Sequence, residues 1–183
     1  MLRLTQSKIK TNLSFRGSRG LDQEREGNLM AHTAANSIQE NNKAVVAASF
    51  DRWRSGTGGP FELLVPEAEW TIVGSSPLSK TYHSKQEFID QVIGPFNARM
   101  ARPLVPTVRG IYADGDMVII LFDAAATTKD NRPYRNTYTW YFQMKEEKVV
   151  KAIAFFDTRD FDEFWKRVSP TQESIASYFP VQK

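Results

Sequence analysis

The chain has no cysteine, which excludes thiol nucleophiles, thiolate metal sites and redox switches. It has only two histidines, His32 and His83, too few for a His-rich zinc site and a poor basis for a Ser-His-Asp triad. Chemistry in this protein therefore falls to Asp, Glu, Tyr, Lys, Arg or Asn, and neither a metal nor a cofactor is expected. No apolar run approaches the roughly 18 to 20 residues of a membrane span, and the longest strand-like run, Met117 to Phe122, is bracketed by Asp116 and Asp123. A block of Lys and Arg is also missing. Of the 24 Lys+Arg, six lie in residues 1 to 29, as do three of the 21 Asp+Glu, so the remainder carries 18 of each and is neutral. Phosphate-backbone affinity comes from clustered cations, so neither nucleic acid nor membrane is an expected partner.

What is present is an ordinary globular composition: 183 residues, 41% hydrophobic and 25% charged. One domain of that size buries roughly 70% of its unfolded surface without a disulfide or metal staple. Residues 1 to 29 lack apolar periodicity and carry Gly17, Gly20 and Gly27. They read as a disordered extension, as a segment upstream of a true start at Met30, or as a transit segment. Location is expected to be cytoplasmic, or mitochondrial in the last case. Residues 38 to 170 read as the folded domain and residues 171 to 183 as a C-terminal tail.

From Ile38 to Trp53 the residues Val45, Val46, Ser49, Phe50 and Trp53 form one stripe at helical spacing, ended by Gly56, Gly58, Gly59 and Pro60. A short turn over Phe61 to Val65 and a strand over Glu67 to Val73 follow. Ser84 with Glu87 marks a capping box for a helix reaching Met100, kinked at Gly94-Pro95. From Pro103 the period changes to two. Four strands are expected, with tight turns at Asp114-Gly115, Asp130-Asn131 and Glu146-Glu147, before a last helix over Arg159 to Val168 capped by Thr158 or Asp160. Helices first and an antiparallel meander after them give an α+β fold in which helices cover a curved sheet.

Taking all three turns as two-residue hairpins sets a register. It places Asn136 opposite Asp157, Tyr138 opposite both Asp123 and Phe155, and Trp140 opposite both Leu121 and Ile153. One face then holds Ile119, Leu121, Trp140, Phe142, Ile153 and Phe155 around a polar set of Asp123, Asn136, Tyr138 and Asp157. The other carries Arg135, Thr137, Thr139, Tyr141 and Gln143 with Phe122, Ala124, Ala152, Ala154 and Phe156. Two carboxylates beneath helices point to an acid or base, with Tyr138 and Asn136 stabilising an oxyanion. The same residues also fit a buried hydrogen-bond network in which Asp157 caps the last helix. Trp70 on the first strand reads either as pocket lining or as core, and His83 as a surface residue.

The stretch Trp70-Thr-Ile-Val-Gly-Ser-Ser-Pro-Leu-Ser79, the helix entry Lys80-Thr-Tyr-His-Ser84, and Arg132-Pro-Tyr-Arg-Asn-Thr-Tyr138 with Ala154-Phe-Phe-Asp-Thr158 ahead of Phe161-Asp-Glu-Phe-Trp165 resemble a known group. They are similar to SnoaL-like, ketosteroid-isomerase-related proteins of the nuclear transport factor 2-like superfamily. The resemblance implies a cone-shaped α+β barrel (a cystatin-like roll) with an apolar cavity, a homodimer through the outer sheet face, and cofactor-independent chemistry by Asp and Tyr in some members. It places Tyr138, Asp157 and Asn136 at motif positions. Two departures stand out: the first strand, Glu69-Trp-Thr-Ile-Val73, lacks the isomerase base Asp, and Ala154 stands where the subfamily often has Glu. The expected function is binding of a small apolar carbonyl compound, with proton transfer by Asp123 or Asp157. The alternative is a non-catalytic ligand-binding or dimerisation module.

Overall fold

A computed structural model describes residues 18 to 170, with side chains from residue 23. The chain falls into two units, Met1–Ala35 and Asn36–Lys183. In the first, the described residues are helical and their side chains from Gln23 onward are exposed. Helix α1 is Ser18–Ser55, so it begins twenty residues ahead of the expected Ile38 and takes in residues 18 to 29. Nothing in the pattern announced this, because residues 23 to 37 bury no side chain and leave no apolar stripe. Residues 1 to 17 and the C-terminal tail lie outside the described residues. No helix among the described residues is long and apolar enough to cross a membrane.

In the second unit the expected stripe of α1 is the buried one: Val46, Ser49 and Phe50 are inside, and Val45 and Trp53 pack against them. The helix ends in a Schellman motif, with Thr57 N–H donating to Arg52 O (2.9 Å) and Gly56 N–H to Trp53 O (3.1 Å). Gly56 at φ 72 supplies the left-handed residue that this motif needs. A 3-10 turn, Pro60–Leu63, leads into β1, Leu64–Ile72. The short β2, Thr81–Tyr82, precedes a helical segment made of α2, Lys85–Phe88, a π-turn, Ile89–Ile93, and α3, Gly94–Asn97. Ser84 caps it by accepting from Glu87 N–H, while the Glu87 carboxylate reaches back to His83 N–H. Pro95 has no N–H for the carbonyl one turn earlier, and the helix widens at that point.

The six-stranded sheet has the order β2-β1-β6-β5-β4-β3, with β3 at Met100–Asp114, β4 at Met117–Thr128, β5 at Pro133–Lys145 and β6 at Lys148–Phe156. The meander β3 to β6 is antiparallel as expected, and β1 joins β6 in parallel. Helix α4, Thr158–Arg167, is capped by Asp157, one residue before the expected Thr158.

The register differs from the expected one in three places, the first being the β3–β4 turn, which falls on Gly115-Asp116 with Asp114 paired to Met117 rather than on Asp114-Gly115. The β4–β5 loop has three residues rather than two: Thr128 N–H donates to Arg132 O, Asn131 N–H to Thr128 O, and Asn131 sits at φ 61. Phe122, not Asp123, therefore pairs with Tyr138. The β5–β6 turn does have two residues, with Glu146 and Glu147 both at positive φ, but the ladder shifts between Gln143 and Met144. Lys145↔Lys148 and Met144↔Val149 obey the hairpin, whereas Gln143 faces Lys151, leaving Val150 as a bulge. A one-residue slip turns every following side chain over. The inner face thus carries Phe122, Ala124, Ala152 and Ala154 with Tyr138, Trp140 and Phe142, all buried. Leu121, Ile153 and Phe155, expected on this face, are on the outer one.

Candidate functional site

A cavity of about 580 Å³ lies between the inner sheet face and the helices of the second unit. Its wall is mostly apolar and rich in aromatic rings: Trp53 from α1, Phe61 from the 3-10 turn, Trp70 from β1, Phe88 and Phe96 from the helical segment, Tyr138 and Trp140 from β5, and Phe156 from β6. The rings hold one another. Trp53 stacks on Trp140 (centroids 5.7 Å, planes 11° apart), Trp70 stacks on Phe88 (4.3 Å, 11°), and Trp140 meets Trp70 edge to face at 5.0 Å. Such mutual packing fixes ring orientation and keeps the wall flat in places, which suits planar apolar ligands.

Of the residues expected to line a pocket, Trp70 and Trp140 do so. Phe142 is on the same face, fully buried and behind the wall. Leu121, Ile153 and Phe155 are replaced by Ala154 and Phe156, for the reasons of register given above. Small Ala154, beside Trp140 in the ladder, is part of what leaves the space open.

The expected polar set is divided. Tyr138 is buried on the cavity wall, and its hydroxyl lies 2.8 Å from that of Tyr134. Asn136 Nδ2 donates to the Tyr134 hydroxyl oxygen (3.1 Å) and to Asp157 O (2.9 Å), and Asn136 Oδ1 accepts from Asp157 N–H (3.0 Å). Asn136 thereby fastens the end of β6 to β5. The Asp157 carboxylate is exposed and accepts from Arg159 N–H at 2.9 Å and Asp160 N–H at 3.5 Å, a helix cap rather than a wall group. Asp123 is half-exposed on the outer face, where it accepts from Thr137 Oγ1 (2.7 Å) and faces Arg109 at 3.7 Å. Asp123, Asn136 and Asp157 all border a second, open depression that also includes Thr107, Arg135 and Asp160. His83 is on the surface, 3.3 Å from Glu69.

Burial pushes the Tyr134 hydroxyl up to about 12 and the Tyr138 hydroxyl well above its ordinary range. For Tyr138 the neighbouring Tyr134 adds to the effect of burial. Both stay neutral near pH 7, so they offer hydroxyls and not phenolates. The pair has two hydroxyl hydrogens, and the bond between them consumes one. Trp140 Nε1–H is also buried with no partner among the described residues. An unmet buried donor costs about 1 to 3 kcal/mol, so an acceptor brought to it is favoured.

One carboxylate does line the cavity, and sequence reasoning passed over it: Glu62, in the 3-10 turn. The turn was legible there; that Glu62 borders the cavity rim was not, because it belongs to no periodic stripe. Arg54 and Asn97 are the other strongly polar side chains of the wall. Among the described residues no group of three or more His, Asp or Glu is placed to hold a metal ion.

The layered α+β cone with an interior aromatic cavity defines a fold class, and solved structures identify it. No protein-family model and no curated protein matches the chain. Among solved structures, an NTF2-like protein of unknown function from Burkholderia pseudomallei is similar over 68% of this chain and 96% of its own, with 18% identity and a TM-score of 0.57. A candidate SnoaL-like polyketide cyclase from Jannaschia is similar over 68% and 90%, with 14% identity and a TM-score of 0.55. TerC, co-crystallised with polyporic acid, is similar over 68% and 98%, with 18% identity and a TM-score of 0.56. The chain therefore has the nuclear transport factor 2-like fold, as the resemblance implied.

Proposed function

We propose that this protein binds a small, flat, apolar ligand bearing a carbonyl oxygen, inside the cavity between the helices and the inner sheet face. The observation that carries this reading is an apolar wall rich in aromatic rings, with one hydroxyl hydrogen of the Tyr134–Tyr138 pair left over as a donor. Apolar rings supply most of the affinity, and the donor orients the oxygen. TerC, of the same fold, was co-crystallised with polyporic acid, and that supports an aromatic ligand. Asp123 and Asp157 do not border this cavity, so binding is better supported than proton transfer by either of them.

Three of the four tryptophans, Trp53, Trp70 and Trp140, line the cavity, which makes intrinsic fluorescence a direct readout. Titration with 1,4-naphthoquinone is expected to give saturable quenching, and Ala154→Phe, which fills part of the space, is expected to weaken it at least tenfold. Linear quenching that is identical in the wild type and Ala154→Phe refutes the assignment.

The outer face supports a homodimer. Phe155 is 45% and Tyr112 60% exposed, and half-buried Ile119, Leu121, Tyr141 and Ile153 lie on the same face. Sedimentation should give a dimer that Phe155→Lys converts to monomer; a monomeric wild type at 100 µM removes this part of the reading.

A further inference from the structure

Among the described residues of the cavity wall the charged side chains are Arg54 and Glu62, the latter the one carboxylate. Arg54 is occupied, with Nη2 donating to Asp51 Oδ1 at 3.0 Å. Glu62 is placed but not used. Its nearest cation is Arg52 Nε at 3.6 Å, beyond hydrogen-bond reach, and its carboxylate accepts no hydrogen bond from the described residues. The turn makes room for it: a Cβ on Gly58 would stand 2.6 Å from Glu62 Oε1, and Gly58 at φ 156 has none. The side chain is 57% exposed, which puts it at the rim, where a ligand seated on the rings would cover it.

From this arrangement we infer that Glu62 is a specificity-determining acceptor, and that the ligand carries a proton-donating hydroxyl, phenolic or enolic, at its outward end. The inference rests on the cavity reading above and adds to it a second polar group on the ligand. An ionised carboxylate accepting from a hydroxyl makes a charge-assisted hydrogen bond, about twice as strong as a neutral one. Arg52 faces the carboxylate at 3.6 Å without occupying its lone pairs. A carboxylate-bearing ligand, by contrast, would meet Glu62 as a like charge.

The test compares naphthalene, 2-naphthol and 2-naphthoate by calorimetry on the full chain and on Glu62→Ala and Glu62→Gln. The wild type is expected to bind 2-naphthol about tenfold more tightly than naphthalene and to disfavour 2-naphthoate. Glu62→Ala should keep naphthalene affinity within about twofold and lose the 2-naphthol advantage, with Glu62→Gln in between. Equal binding of naphthalene and 2-naphthol, or an advantage that survives Glu62→Ala, overturns the role of Glu62 and leaves the cavity reading intact. A preference for 2-naphthoate also overturns it, in favour of Arg54. If none of the three binds the wild type, the cavity reading fails as well. Thermal melts of each variant verify that the fold is unchanged, as expected for a half-exposed side chain.

Discussion

Truncating Phe122 tests the register on which the cavity depends. Its ring is fully buried and touches four others: Phe50 at 5.0 Å, Tyr138 at 5.0 Å, Trp140 at 4.8 Å and Trp53 at 5.9 Å. Buried Phe→Ala changes cost about 3 to 5 kcal/mol, and the shared aromatic contacts place Phe122→Ala near the upper end. For a domain of this size about 5 kcal/mol lowers Tm by roughly 10 to 20 °C. Phe155, which the alternating pattern expected inside, is 45% exposed, so Phe155→Ala forfeits about 1 to 1.5 kcal/mol and roughly 2 to 6 °C. Both variants are measured by urea and thermal unfolding at two protein concentrations, with m-values compared to verify two-state behaviour. Any concentration-dependent loss in Phe155→Ala reports subunit association through the outer face. Equal destabilisation of the two variants at every concentration, or a larger loss from Phe155→Ala, refutes the three-residue loop and the bulge at Val150.

Removing the α4 cap with Asp157→Ala should cost about 0.5 to 2 kcal/mol in unfolding while leaving naphthoquinone affinity unchanged. A large loss of affinity at unchanged stability would return Asp157 to the site. Asp130 is held below the usual carboxylate range, first by the Thr128 hydroxyl and then by Arg167. A depressed folded value gives stability that is present above the unfolded value, near 4, and is lost as pH falls below it. Acid unfolding of Asp130→Asn should therefore be shallower below pH 4 than that of the wild type, as followed by circular dichroism. Tyr134 has the opposite sign: its value is raised by burial, so its contribution is complete below about 10 and disappears as pH rises towards about 12. Alkaline unfolding of Tyr134→Phe should lack that component, and an unchanged profile would argue against a buried hydroxyl.

Much of the frame was legible because it follows from local rules. The α1 stripe at Val46, Ser49 and Phe50, the Ser84 cap and the glycine stop at Gly56 each depend on residues within one turn of helix. The register was not, because it depends on counting residues at two points where the chemistry permits two counts. Asp130-Asn131 fits a two-residue turn, yet Asn131 takes the left-handed conformation of a three-residue loop. Val150 gives no sign that it is bulged. These two slips moved Asp123 from an imagined interior to the outer face and brought Ala154 and Phe156 inward. Tyr138, Trp140 and Trp70 were found because β5 and β1 needed no such count. Glu62 was missed because a 3-10 turn has no periodicity by which to tell a residue that borders the cavity from one that does not.

The parallel pairing of β1 with β6 has a consequence for how the chain is made. Strand β1 ends at Ile72 and gains its long neighbour only when β6, which ends at Phe156, has emerged. Translation at about 5 to 20 residues per second puts roughly 4 to 17 s between the two, with only the two-residue β2 to cover an edge of β1 in the meantime. During that interval Trp70 and Ile72 lie on a strand that is a ready template for pairing with another nascent chain. The sheet closes late, from its middle: a chain that stops between β1 and β6 has the long neighbour of β1 missing and nothing to join β1 to the β3–β5 meander.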